Sequence, residues 1–335
     1  MSKYKPLDLS GLGTISIHDR GGKVKVEHFA KPYTIPTTPT TPTTPITHTT
    51  DANRTATVRE SVPFLDSLPH LLAADSFRSV VDALLTARSR KKMILWGLGG
   101  HVIKCGLAPI LTDLMRRGYA TAFALNGAAS IHDFEIAIAG QTSEDVEAVL
   151  PDGRFGTAEE TGREMNKALD SEYGFGESIG RHLKKIADPR FATFSLQHEA
   201  YRNSTPVTVH VAIGTDTPHT HPSANGANIG RATHHDFRLL CTLVKELNDG
   251  GVYLNVGSAV LLPEVFLKAV SVVRNLKNPL ANFTTVNFDF LQHYRPRVNV
   301  VERPHANAGG KGYAITGHHE LMIPLLAATL IEAKP

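Results

Sequence analysis

The chain carries 17 histidines in 335 residues, and several share short glycine-containing stretches with carboxylates. A neutral imidazole can take a proton or bind a metal near pH 7, so these stretches are where chemistry is expected. Gly214–Pro222 (GTDTPHTHP) holds Asp216, His219 and His221 within six residues. In an extended segment, His-x-His can place both imidazoles on one ion, with a third ligand supplied by another loop through His132 or His318. The same spacing also serves hydrogen bonding to a polar ligand, or two solvated histidines. Asn126–Glu135 (NGAASIHDFE) sets His132 and Asp133 where a helix is expected to begin. The positive end of a helix keeps an imidazole neutral and suits it to accept a proton, while an aspartate there caps or complements the dipole. Gly317–Glu320 (GHHE) offers His318 and His319, one expected to face inward and the other outward. His132, Asp133, His219, His221 and His318 are therefore the catalytic candidates, with His219 and His221 as candidate ligands for zinc or another divalent metal.

Other loops suit anions. Gly97–His101 (GLGGH) precedes a predicted helix, and its glycines let a phosphate approach backbone N–H groups. Its spacing is not GxGxxG, and a tight strand–helix turn is the plainer reading. Asp289–Pro296 (DFLQHYRP) brings Asp289 and Arg295, whose guanidinium could grip a carboxylate or phosphate, or tie down its own loop. Cys105 lies in an apolar helical pattern and reads as core, with no local Cys–His motif. His234 and His235 read as solvent-exposed residues opening a helix. No GxxxxGK[ST] phosphate loop is present.

These loops punctuate an alternation of strands and helices. Phe77–Arg90 spaces Val80, Val81, Leu84 and Leu85 as one helical face. Lys91–Gly100, Thr121–Leu125, Thr205–Ile213, Gly251–Val256 and Ala281–Phe288 read as buried strands. Helices are predicted over His101–Gly118, Ile131–Ala139, Ala158–Leu169, Phe175–Lys185, Pro189–Asn203, His234–Asn248, Pro263–Asn275 and Leu321–Glu332. Repeated βαβ units imply a Rossmann-like, mostly parallel sheet of about six strands with helices on both faces. Ligands of such sheets sit at the carboxyl ends of the strands, which is where the glycine- and histidine-bearing loops fall.

Composition narrows the class. Apolar residues make up 41% and charged residues 20%, which excludes a disordered chain. A net charge of +3 gives no argument for nucleic acid or an anionic membrane. No apolar run is long enough for a transmembrane helix, and the first residues lack a secretory signal pattern. Two cysteines, Cys105 and Cys241, suit a reducing cytoplasm better than a disulfide framework. Residues 1–60 read as an arm with a Thr/Pro-rich linker. Its prolines at 36, 39, 42 and 45 forbid a helix, and it is either disordered or laid along a neighbouring subunit. Residues 61–335 form the expected α/β domain.

In collinear order, five segments resemble the deoxyhypusine synthase family: ILWGLGGHVIKCGLAPILTDLMRRG, FALNGAASIHDFEIAI, AYRNSTPVTVHVAIGTD, FTTVNFDF and ELMIPLLAATLIE. The resemblance implies a tetrameric, NAD-dependent fold with the cofactor between subunits. It implies cofactor contacts from Gly99, Gly100, His101, Asn126, Gly127, Asp216, Gly257, Thr284 and Asp289. The family's chemistry does not carry over. Its catalytic lysine motif falls on Val298–Pro304 (VNVVERP), which has no lysine, and its Pro-Lys-His-His on Leu261–Val265 (LLPEV). The family's second-loop Glu-Asp becomes His132-Asp133, and other acidic positions fall at His219 or His221 and at His318. Fewer carboxylates suit a less cationic substrate. The expectation is an NAD-dependent transferase or oxidoreductase acting on an amine or other small polar substrate, not deoxyhypusine synthesis. The alternatives are a metal-dependent enzyme using the His/Asp cluster and a non-catalytic ligand-binding relative.

Overall fold

The computed structural model describes residues 63–333. The Thr/Pro-rich arm lies outside them. In chain order the helices and strands are α1 (Pro63–Ser67), α2 (Leu72–Ser89), β1 (Ile94–Leu98), α3 (Gly100–Lys104), α4 (Ala108–Arg116), β2 (Ala122–Asn126), α5 (Gly127–Ala139), α6 (Val146–Val149), α7 (Glu159–Ala168), α8 (Phe175–Ile186) and α9 (Leu196–Arg202). There follow β3 (Val207–His210), α10 (Gly226–Lys245), β4 (Val252–Val256), α11 (Leu261–Asn275), β5 (Thr284–Asp289), α12 (Tyr294–Pro296), β6 (Lys311–Thr316) and α13 (His319–Glu332).

The six strands form one parallel sheet in the order β3-β2-β1-β4-β5-β6. Their near-continuous apolar runs are explained by burial on both faces. Side chains alternate between those faces. Ile94, Trp96 and Leu98 join the core beneath α2, α4, α5 and α13, whereas Leu95 joins Tyr253, Phe266 and Leu243 beneath α10 and α11. Gly97 carries no side chain because the Tyr253 ring fills its place, where an added Cβ would stand 2.6 Å from the phenol oxygen. Trp96 Nε1 donates to the Tyr119 carbonyl, and the Tyr119 hydroxyl donates to the Leu330 carbonyl. That chain of contacts moors α13 to the sheet.

Register sets the functional edge. Leu98 pairs with Leu125 and Val256, Val256 with Phe288, and Asp289 with Thr316. The strands therefore end almost level, and the following loops leave from one rim. The chain winds outward from β1 in both directions, so order reverses between β1 and β4. A crevice opens at such a switch point. Here two glycine turns meet at that point in backbone contact: Gly99 N donates to the Val256 carbonyl, and a Cβ on Gly99 would lie 2.0 Å from the Gly257 carbonyl oxygen.

Several expected boundaries move. The helix predicted over His101–Gly118 is two helices, because Gly106 takes a left-handed φ of +75° and Pro109 starts α4. The helix predicted from His234 begins at Gly226, capped by Asn225, so His234 and His235 lie in its middle. β6 has no counterpart among the predicted strands, since only Ile315 along it is buried.

Gly99→Ala is expected to lose about 2–4 kcal/mol of unfolding free energy, since no rotamer relieves a backbone clash. Gly230→Ala, in the interior of α10 with open space around it, is expected to gain roughly 0.5–1 kcal/mol. Chemical denaturation of both variants measures this, and equal midpoints would refute the contact.

Candidate functional site at the carboxyl rim

The two halves of the rim have different contents. On the β2–β3 side, α5 starts at Gly127 with Asn126 as its cap, whose Oδ1 accepts from Ala129 N. His132 and Asp133 are thus more than a turn inside the helix, not at its N-terminus. Asp133 is fully buried and accepts hydrogen bonds from Ser195 Oγ, Leu196 N, Gln197 N and Gln197 Nε2. It takes up the first free N–H groups of α9, whose N-cap is Ser195, and a carboxylate so occupied has no free oxygen for a substrate proton. Burial pushes its pKa up, against the pull of those donors. The catalytic expectation for Asp133 is corrected accordingly.

His132 Nδ1 lies 2.7 Å from Thr142 Oγ1, whose own proton goes to Glu135 Oε2. Thr142 must therefore accept from the imidazole, which fixes the proton on Nδ1. Burial, with Lys104 nearby, drives the His132 pKa down to about 4. The neutrality expected of this residue is present, but its cause is desolvation rather than the helix dipole.

Asp216 sits against the start of α5: a Cβ on Gly127 would lie 2.1 Å from Asp216 Oδ2. That oxygen is buried without a hydrogen-bond partner, and burial raises the carboxyl pKa. Gly127 is glycine because this carboxylate occupies the place of a side chain. His219 Nδ1 accepts from Gly214 N, whereas His221 pairs with Ser223 Oγ at 2.7 Å and Glu159 Oε2 at 3.2 Å. The two imidazoles thus serve different partners, and the described residues do not gather them as a metal-binding group.

The β1–β4–β5–β6 side is denser. His319, 1% exposed, lies beside the Gly257 turn, with Nε2 3.3 Å from the Phe288 carbonyl and 3.7 Å from Asp289 Oδ1. Its Nδ1 is buried with no partner, and burial lowers its pKa despite Asp289. His318 faces outward, parallel to the Phe290 ring at 6.0 Å. This is the expected division of the pair, but the inward member is His319 rather than the candidate His318. His101 lies edge-on to both His319 and Phe290, at 5.5 and 6.1 Å. Its Nε2 is 3.2 Å from Cys105 Sγ, which in turn is 3.8 Å from Glu320 Oε2. Cys105 is therefore not simply core. Its back packs on the core while its sulfur faces the rim, and burial together with Glu320 raises the thiol pKa.

His101 and Cys105 are four apart, a spacing that puts both on one face of a helix. That signal was available, but the apolar neighbours of Cys105 outweighed it. Thr284 requires the opposite correction. It opens β5, about 16 Å along the strand from Asp289 at ~3.3 Å per residue. A residue at the amino edge cannot join cofactor contacts at the carboxyl rim. Gly99, Gly100, His101, Gly257 and Asp289 do share the β1–β4–β5 part of the rim, and Asn126, Gly127 and Asp216 flank it.

No protein-family model matches the chain, and no curated protein matches it. Solved structures do. A LOR/SDH protein from Methanococcus maripaludis S2 aligns with TM-score 0.51 and 14% identity over 78% of this chain and 70% of that one. Unliganded AgrE aligns with TM-score 0.52 and 18% identity over 77% of this chain and 32% of its own. AgrE in ternary complex with ornithine and NAD+ gives 0.50 and 15% identity, over 76% and 32%. A protein described as a deoxyhypusine synthase, from Entamoeba histolytica, gives 0.46 and 10% identity over 77% and 87%, a likeness too slight to argue from. This chain spans about a third of AgrE. At these identities the likeness defines the fold: a Rossmann-like α/β sheet shared with the LOR/SDH protein and AgrE. Among the described residues, no helix is long and apolar enough to cross a membrane.

The low value of His132 has a consequence for stability. Its folded pKa of about 4 lies below the ordinary 6.5, so between these values the unfolded chain binds the extra proton. The contribution of a neutral His132 is complete above pH 6.5 and is lost as the pH falls toward 4. Denaturation midpoints at pH 7 and pH 5 are expected to separate less in His132→Gln than in the parent. An NMR titration showing His132 near 6.5 would contradict this environment.

Proposed function

We propose that this chain is an NAD-linked enzyme that acts on a small polar substrate at the β1–β4–β5 part of the rim. The observation that carries the reading is the Gly99–Gly257 contact at the point where strand order reverses. That is where a dinucleotide sits in sheets of this order, with glycines allowing its pyrophosphate to approach the backbone. The fit is good at the turns and different at the ribose. The end of β2, where such sheets can place an acidic residue for a ribose, has Asn126, already engaged in capping α5. NAD+ bound by AgrE in the ternary complex supports the choice of cofactor.

When bound, NAD+ supplies a hydride acceptor, so a substrate carbon bearing an amine or hydroxyl becomes an imine or carbonyl and one proton must be taken up. In this reading His319 takes it by way of the neighbouring His101, since its own ring is 1% exposed. Desolvation favours its neutral form, Asp289 stands 3.7 Å away to stabilise the imidazolium, and Nδ1 has no other partner. His101 and His318 line the mouth and Phe290 supplies an apolar wall. The homo-oligomer expected from the resemblance belongs to the same reading. Phe290, Leu291, Tyr294 and Leu321, 44–66% exposed around this mouth, are what a neighbouring subunit would cover.

Calorimetric titration with NAD+ in the presence of a chelator tests the reading. His101→Glu, which sets an anion beside the glycine turn, is expected to weaken binding about tenfold, roughly 1.4 kcal/mol. Thr284→Ala, at the far edge of the sheet, is expected to leave it unchanged. Absence of NAD+ binding by the parent protein would refute the proposal.

A further inference from the structure

We infer that His101 Nε2, Cys105 Sγ and a Glu320 carboxylate oxygen form a three-ligand site for a divalent cation of the zinc class. The three donor atoms lie within 4.8 Å of one another, and among the described residues they are the group of histidine, cysteine and carboxylate with that property. Zinc bonds of about 2.0 Å to nitrogen and oxygen and about 2.3 Å to sulfur, at tetrahedral angles, set ligand atoms roughly 3.3–3.7 Å apart. The separations here are 3.2 Å from nitrogen to sulfur and 3.8 Å from sulfur to oxygen. The His101 nitrogen and the Glu320 oxygen lie within 4.8 Å of each other, so side-chain rotation has to close that gap by up to about 1.5 Å around an ion.

The donors are also held in place. His101 lies in α3 and Cys105 is its C-cap, with Cys105 N donating to the His101 carbonyl. That helix leaves directly from the Gly99 turn. Glu320 lies in the first turn of α13, next to buried His319. The His101 ring is flanked by His319 and Phe290, which limits its rotation. A competing account makes Cys105 and His101 a thiol–imidazole nucleophile. The third member argues against it, because a thiolate beside the Glu320 carboxylate places like charges together. A cation between them turns that repulsion into attraction. Three protein ligands leave one position for water or substrate, as in catalytic rather than structural zinc sites. A soft thiolate with an imidazole selects zinc-class ions over magnesium or calcium.

This site rests on side-chain donors rather than on the dinucleotide reading, and it stands or falls separately from NAD+ binding. The test uses the full-length chain, stripped with chelator, dialysed and titrated with Co(II) alone. One equivalent is expected to bind with a thiolate-to-cobalt charge-transfer band in the near ultraviolet. Cys105→Ser is expected to abolish the band, and Cys241→Ser to leave it intact. His101→Ala, an exposed position that folding tolerates, is expected to weaken binding by more than about tenfold, since even outer-shell partners cost that much. Circular dichroism checks that each variant is folded. If Cys105→Ser does not fold, His101→Ala alone decides. No charge-transfer band at equimolar Co(II), a band that survives Cys105→Ser, or undiminished binding by His101→Ala overturns the inference.

Discussion

The backbone contact between Gly99 and Gly257 is the constraint on which the rest of the site depends. Two parallel strands that diverge into helices on opposite faces normally leave a gap between their following loops. Here the loops close until a Cβ on Gly99 would lie 2.0 Å from the Gly257 carbonyl oxygen. That closeness starts α3 directly beneath the turn and directs His101 and Cys105 toward the rim. It also brings Gly257 against His319, where an added Cβ would meet the ring at 3.0 Å. The first turns of α3 and α13 are thereby placed side by side, although more than 200 residues separate them.

Carboxylates in this fold divide into two kinds. Asp133 and Asp236 are buried and accept from backbone N–H groups, Asp133 with both oxygens at the start of α9 and Asp236 with Oδ2 from Gly176 and Val209 while its Oδ1 has no partner. Burial pushes Asp236 up to about 7, a cost accepted for tying α10 to α8 and β3. Glu199, also buried, is matched by Arg116 and Arg202. These groups hold architecture together and leave little for chemistry. Asp289 and Glu320 differ, because each faces an imidazole or thiol at the rim.

The architecture was legible because its signals are local. Continuous apolar runs ending in glycine identify buried parallel strands, and five of the six were located within a few residues. The sixth was obscure because an edge strand such as Lys311–Thr316 buries only Ile315 and lacks a long apolar run. The rim was also legible, since parallel strands force their following loops to one side. Which loops meet across it was not. His132, Asp216, His219 and His318 share the rim but contact different neighbours, because lateral strand order decides contact and sequence order does not reveal it. Asp133 was misread because its partners, Ser195 to Gln197, are some sixty residues away. Cys105 was assigned to the core on its neighbours, whereas a residue at the end of a short helix can bury its stem and present its sulfur.

Hydrogen exchange with and without NAD+ tests most directly the claim that the β1–β4 switch point is the working site. The account predicts slower exchange at backbone amides of residues 97–101 and 257–259 on addition of NAD+, with no change at 214–221 or at the amino edge around Thr284. Protection confined to the 214–221 loop, or spread over the amino edge of the sheet, would contradict it.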